Sequence, residues 1–209
     1  VNGTPLSTNA ALNGNAFDKG DTVQCSATPT DGLATGTTLF SPAVIVGNSP
    51  PTVETVVLNT YTPQQGDLLV ANALNLEDPD NDPASVTIEW YVEGLLVGTG
   101  NTLDSTTWVK GQQIIALAIP SDAEDQGTPV ESLPATGLNT PPSISFASIL
   151  PAPPTTVDDL ALDIDAIDPD NDALTFETTW RVNGNIVSVT SEGTLASSEF
   201  ERGDTVSAQ

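Results

Sequence analysis

The chain contains no histidine, a single cysteine and only four basic residues against 28 Asp and Glu. Without histidine, zinc sites built on imidazole, Ser-His-Asp triads and Cys-His pairs are all excluded. Four Lys and Arg cannot neutralise a phosphate backbone, so at a formal net charge of −24 nucleic acid is excluded as a partner. No apolar run reaches the roughly 18 residues that a spanning helix needs, so this segment holds no membrane span. A basic region leading into an apolar one is also missing, but the chain opens within a repeat, so nothing follows about secretion. One cysteine says little about redox compartment. What remains is aspartate, a hard oxygen ligand suited to calcium, in a chain whose 209 residues, 38% of them hydrophobic, suffice for one or two packed domains.

The chain repeats itself. Asn48-Ser49-Pro50-Pro51-Thr52-Val53 returns 91 residues later as Asn139-Thr140-Pro141-Pro142-Ser143-Ile144, and Asp78-Pro79-Asp80-Asn81-Asp82 returns unchanged 90 residues later at Asp168 to Asp172. Trp90 returns as Trp180, and Val1-Asn2-Gly3 returns as Val92-Glu93-Gly94 and Val182-Asn183-Gly184. Phe17-Asp18-Lys19-Gly20 matches Trp108-Val109-Lys110-Gly111 and Phe200-Glu201-Arg202-Gly203. Several anchors at one spacing define a repeat architecture. Counted from the Asn-x-Pro-Pro linker, residues 1–47 are the back part of one unit, 48–138 a complete unit and 139–209 the front part of a third. A window cut from a longer tandem array accounts for this, and so does a subunit whose partial ends complete each other between molecules.

Within a unit the pattern is β. Leu160, Leu162 and Ile164 alternate with Asp159, Ala161, Asp163 and Asp165, and Val86, Ile88 and Trp90 alternate with Thr87 and Glu89. Gly, Pro and Asn clusters punctuate such runs, and no helical spacing is sustained. The spacing predicts strands over 52–60, 67–76, 84–92, 95–99, 102–107, 113–120 and 128–136. Seven short strands with a Trp on the third fit an immunoglobulin-like antiparallel sandwich. The fold class is therefore all-β, as tandem sandwiches of period about 91 residues in an extended array. Trp90 and Trp180 read as core residues, and Phe17, Trp108 and Phe200 as corner packing. Cys25 falls on the sixth strand of the first unit, where Ala116 and Ala208 stand in the others. It either pairs with a residue outside the chain or is a buried free thiol.

The Asp-Pro-Asp-Asn-Asp loop is the chemically pointed feature. Three carboxylates at alternate positions repel one another unless a cation sits among them, and an all-oxygen donor set suits six- to eight-coordinate calcium. In a seven-stranded sandwich this loop shares the N-terminal end with the incoming linker and with the loop between strands six and seven. That places Asn48, Asp78, Asp80, Asp82, Asp122, Glu124 and Asp125 at one junction, and Asn139, Asp168, Asp170 and Asp172 at the next. Asp18 and Asp21 of the preceding unit could face the first of these. The corresponding loop of the first unit, Thr30-Asp31-Gly32, has one acid where residues 121–125 have three, which weakens the expectation for its own junction. Asp, Pro and Asn are also simply good turn formers. Without a helix pattern or a Glu at the twelfth position, the loop is not an EF-hand.

The Asn-x-Pro-Pro linker, with Asp-Pro-Asp-Asn-Asp and a Thr-rich strand ending in Trp-x-Val-x-Gly, resembles the tandem immunoglobulin-like and cadherin-like repeats of large bacterial surface proteins. The resemblance covers the whole chain. It implies that calcium bound at domain junctions stiffens the array into a rod, with Asp78, Asp80, Asp82, Asp168, Asp170 and Asp172 as ligands. The expected function is a structural repeat module of an extracellular or cell-surface fibre, filament or stalk, with a homopolymer or neighbouring repeats of the same chain as partners. The alternatives are an adhesin or carbohydrate-binding array, and spacer domains of a larger secreted protein. An enzyme is not expected, because the acidic groups recur in every unit. Asn2-Gly3-Thr4 fits a glycosylation sequon, and Ser and Thr near Pro are candidate sites for O-linked glycans. Lys19 and Lys110, assigned to turns, are poorly placed for a core Lys–Asn crosslink.

Overall fold

The computed structural model describes residues 1–209 as an all-β chain whose only helical segments are three single 3-10 turns. Residues 1–47 form two small antiparallel ladders, β1 (Thr22–Val23) on β4 (Val44–Ile45) and β2 (Ser26–Ala27) on β3 (Leu39–Phe40). None of these residues is buried, and Leu39, Phe40, Val44 and Ile45 are all exposed.

Residues 48–138 make a two-sheet sandwich. One sheet runs β5 (Thr52–Leu58), β6 (Leu68–Glu77), β9 (Thr102–Asp104). The other runs β11 (Val130–Glu131), β10 (Gln113–Ser121), β7 (Ser85–Val92), β8 (Leu95–Thr99), and β12 (Ala135–Thr136) also pairs with β10. Alternation dictates the faces, since Ile88, Trp90 and Val92 of β7 and Ile114, Ala116 and Ala118 of β10 all point inward. Ala116 lies directly across from Trp90, and its small side chain leaves room for the indole, whose Nε1 donates to Gly100 O at 2.8 Å. With Trp90 and Leu69 fully buried at the centre of 14 core residues, truncating such a Trp to Ala costs about 3–5 kcal/mol.

The seventh strand differs from its expected span of 128–136. It breaks into β11 and β12 around Ser132-Leu133-Pro134, because Pro134 has no N–H to give the ladder. Ser132 repairs the break. Its N–H donates to Ala116 O at 2.8 Å, and its hydroxyl accepts from Ala116 N at 3.1 Å.

Residues 139–209 repeat the plan with a smaller core. β13 (Ser143–Leu150) pairs with β14 (Leu160–Ile167), which pairs with β17 (Thr194–Leu195). β15 (Thr178–Val182) lies between β16 (Asn185–Thr190) and β18 (Val206–Ala208). Trp180 is fully buried across from Ala208, with Leu160, Val182, Leu195 and Phe200 around it. Ala116 and Ala208 thus face a Trp, and Cys25 holds the same repeat position in residues 1–47. Cys25 is a free, exposed thiol, not a buried one, because no part of residues 1–209 covers that face of the first unit.

The total accessible surface is 13,500 Å². A compact monomer of this mass, 21.6 kDa, exposes roughly 9,200 Å². The excess includes exposed apolar side chains at Leu39, Phe40, Val44, Ile45, Ile144 and Phe146.

Candidate metal centre

Each Asp-Pro-Asp-Asn-Asp loop is a type I turn followed by a left-handed residue. Asn81 N donates to Asp78 O and Asn171 N to Asp168 O, both at 3.1 Å, with Pro at the position where its fixed φ suits the turn. Asn81 (φ 61°) and Asn171 (φ 60°) then take the left-handed conformation that Asn tolerates best after Gly. Asp78 Oδ1 accepts from the backbone N–H of Asp80 (2.9 Å) and Asp82 (3.0 Å), and Asp168 Oδ1 does the same for Asp170 (2.8 Å) and Asp172 (3.1 Å). The backbone thereby aims three side chains at one point. Oxygens of Asp78, Asp80 and Asp82 lie within 4.8 Å of one another, as do those of Asp168, Asp170 and Asp172.

The linker closes over each loop. Ser49 N donates to Asp80 Oδ2 at 2.6 Å, and Thr140 N to Asp170 Oδ2 at 2.5 Å. Asn48 Nδ2 donates to Asp122 Oδ2 (2.9 Å) and Asp125 Oδ2 (3.1 Å), tying the linker to the second acidic loop. Asp122 Oδ1 caps the N–H groups of Glu124 and Asp125, both at 2.7 Å, just as Asp31 Oδ1 caps Leu33 and Ala34 in the first unit. The Asn48 amide, followed by the backbone N–H groups, holds the Asp122 carboxyl below its ordinary range. Gly127 ends this loop where a Cβ would stand 1.8 Å from Pro51 O, so only glycine lets loop and linker meet.

The expected groups thus reach one end of the complete unit, but as two centres. Asp122, Glu124 and Asp125 lie outside the 4.8 Å cluster of Asp78, Asp80 and Asp82, and Asn48 connects the two through the linker. Three buried oxygens there have no hydrogen-bond partner: Asp78 Oδ2 and Asn48 Oδ1 at the first junction, and Asp170 Oδ1 at the second. Buried oxygens without donors are costly unless something positive completes them. An all-oxygen set of carboxylates and an amide carbonyl suits a hard cation and not a soft metal.

No family model matches the chain, and no curated protein is similar to it. Among solved structures it is similar to the crystal structure of chicken CNTN1 FN1-FN3 domains, at 11% identity and a TM-score of 0.31, over 90% of this chain and 65% of that one.

The preceding unit contributes differently from expectation. Asp21 turns its carboxylate to its own unit and not to the junction. Asp21 accepts from Asn2 Nδ2 at 2.7 Å and from Asp18 N at 2.9 Å, bracing their own turn. Lys19 reaches across instead, its Nζ donating to Asp82 Oδ2 at 2.5 Å and bonding to Glu124 Oε1. Hydrogen bonds to Asp82 first and Glu124 second hold its ammonium above the ordinary 10.5. At the second junction Lys110 Nζ bonds to Asp172 and, at 3.0 Å, to Asn139 Oδ1. Asp172 is the main cause that raises the Lys110 pKa. Pattern reading also missed Gln64 and Gln65, which grip the second linker through Gln64 Nε2 to Asn139 O (2.8 Å) and Gln65 N to Thr140 Oγ1 (2.7 Å). One available signal was positional: three of the four basic residues, Lys19, Lys110 and Arg202, share one repeat position. The Asn2 side chain, the sequon candidate, spends both its polar atoms on Asp21 and on Thr22 N.

Proposed function

We propose that this chain is a structural repeat segment of an extracellular or cell-surface fibre, filament or stalk, and that each unit binds calcium at its N-terminal junction. The observation that carries the reading is the recurrence of one acidic cluster at both junctions, each with a buried carboxylate oxygen that has no donor. A unique active site would not be repeated in this way, so the groups are read as ligands and the chain as non-catalytic. The prolines at 50, 51, 141 and 142 support a linear array of neighbouring repeats. Carboxylates drawn together at each junction repel at intermediate effective dielectric, and a divalent ion turns that repulsion into coordination. Ligands from loop and linker then tie a domain to its connector.

The test is calorimetric titration of the chain with calcium, then melting and small-angle scattering with calcium and with EDTA. Calcium at 100 times its Kd stabilises a site by about 2.7 kcal/mol, which is roughly 10–20 °C in the melting of a unit of this size. Saturable binding near two equivalents, with that shift and a scattering profile of an elongated particle, is the expected result. Unchanged melting in calcium and EDTA would refute the metal reading. A compact particle would refute the rod.

A further inference from the structure

The two junction lysines share more than a repeat position. Each stands in a turn whose geometry is held on both sides. Asp21 N donates to Asp18 O at 3.0 Å and Gln112 N to Val109 O at 3.2 Å, and the following glycines, Gly20 (φ 86°) and Gly111 (φ 85°), take a left-handed conformation. The glycine N–H groups then bond to the chain leading into the linker, Gly20 to Val46 O at 2.9 Å and Gly111 to Gly137 O at 2.8 Å. The ammonium is therefore presented by a turn clamped to the end of its own unit. It meets the last Asp of the motif in the next unit, Asp82 or Asp172. Three-quarters of the Lys19 side chain is covered in doing so. Arg202 is built into the same turn, with Asp204 N donating to Glu201 O at 3.1 Å, but it is exposed and makes no ion pair.

We infer that Lys19 and Lys110 are tethered counter-ions. Each docks the turn of one unit on the acidic loop of the next and fixes the angle between them without metal, and each competes with a divalent cation for Asp82 or Asp172. The latch half stands on the contacts alone, and the competition half rests on the calcium reading above. Competition follows from charge. A carboxylate shared by an ammonium and a divalent ion brings two cations within a few ångströms of each other, so lysine contact and metal binding at Asp82 or Asp172 oppose one another. The junction then has two alternative cations, one covalently attached.

The full 209-residue chain serves for the test. One nitroxide goes on the native, exposed Cys25 of the first unit and a second on Thr87→Cys, an exposed strand position of the next. In EDTA the wild type and Lys19→Arg should give one narrow distance distribution and Lys19→Ala a broad one, with unchanged near-UV spectra showing that the units stay folded. Equal widths in all three forms would overturn the latch. In a calcium titration Lys19→Ala combined with Lys110→Ala should bind about 5-fold more tightly than wild type, the upper end for partly exposed ion pairs. Equal affinity would overturn the competition. Failure of every form to bind calcium would sink the metal reading and the competition with it, while the EDTA distances would still decide the latch.

Discussion

Gly127→Ala perturbs the point where the second acidic loop, the linker and the sandwich meet. The backbone there is not left-handed, so the penalty is one of space alone. The added Cβ would stand 1.8 Å from Pro51 O and 3.0 Å from both Pro51 C and Pro120 Cγ. Two of these are backbone atoms, which cannot swing aside like the end of a flexible side chain. Reaching ordinary contact requires the loop and linker to separate by more than ~1.5 Å. That separation pulls on Gly127 N to Pro120 O (2.9 Å) and on the Asn48 bonds to Asp122 and Asp125. Overpacking against an immobile neighbour sits at the upper end of its usual range, about 3 kcal/mol. For a unit of this length the loss is roughly 12–24 °C in melting temperature. Scanning calorimetry should show one transition moved down by that amount, while the transition reported by Trp180 in the third unit stays in place. A variant melting within about 3 °C of wild type would refute the packing account, and with it the claim that glycine is what lets loop and linker meet.

Glu93→Asn should stabilise the complete unit by up to about 1 kcal/mol, since a left-handed non-glycine residue costs about that much and Asn bears it better. Glu93 (φ 50°) bonds to Gln113 N, and Asn2 and Asn183 occupy the same turn position with equivalent bonds to Thr22 N and Thr205 N; a lowered midpoint in urea denaturation would contradict this. The pH window of the metal-free junction follows from two opposite shifts. Asp122 titrates below its ordinary 3.8, so its contribution is full above that pH and is lost as pH falls through the lower folded value. Lys19 titrates above 10.5, so its contribution is full below that pH and is lost as pH rises through the folded value. Spin-label distances in EDTA should accordingly hold from about pH 4 to pH 10 and broaden outside it; broadening near neutrality would show that other groups control the junction.

The sequence by itself determined the β class, the direction of the core and most strand positions of residues 48–138, although the expected strand 102–107 stops at Asp104, where Ser105–Thr107 turn into a 3-10 segment, and 128–136 is broken. It did so because these depend on local alternation and on turn chemistry repeated at fixed spacing. Expected strands at 84–92, 95–99 and 113–120 differ from the observed Ser85–Val92, Leu95–Thr99 and Gln113–Ser121 by a residue at most. The acidic triads were legible for the same reason, since Asp78 to Asp82 is a single turn whose backbone aims its own side chains. Tertiary structure decided how the rest of the junction is shared. Asn48 uses its amide N–H to hold Asp122 and Asp125, while its carbonyl oxygen is left without a donor. Ser132 bridges a strand that Pro134 interrupts, and Gln64 and Gln65 hold a linker 75 residues away. Lys19, which as a turn residue had no assigned role, meets Asp82 and Glu124 across 63 and 105 residues of chain. No local pattern encodes such separations. They follow from which ends of two sandwiches the connecting turn brings together, and in a chain with 28 carboxylates and four cations the turn that carries a lysine decides where that charge is neutralised.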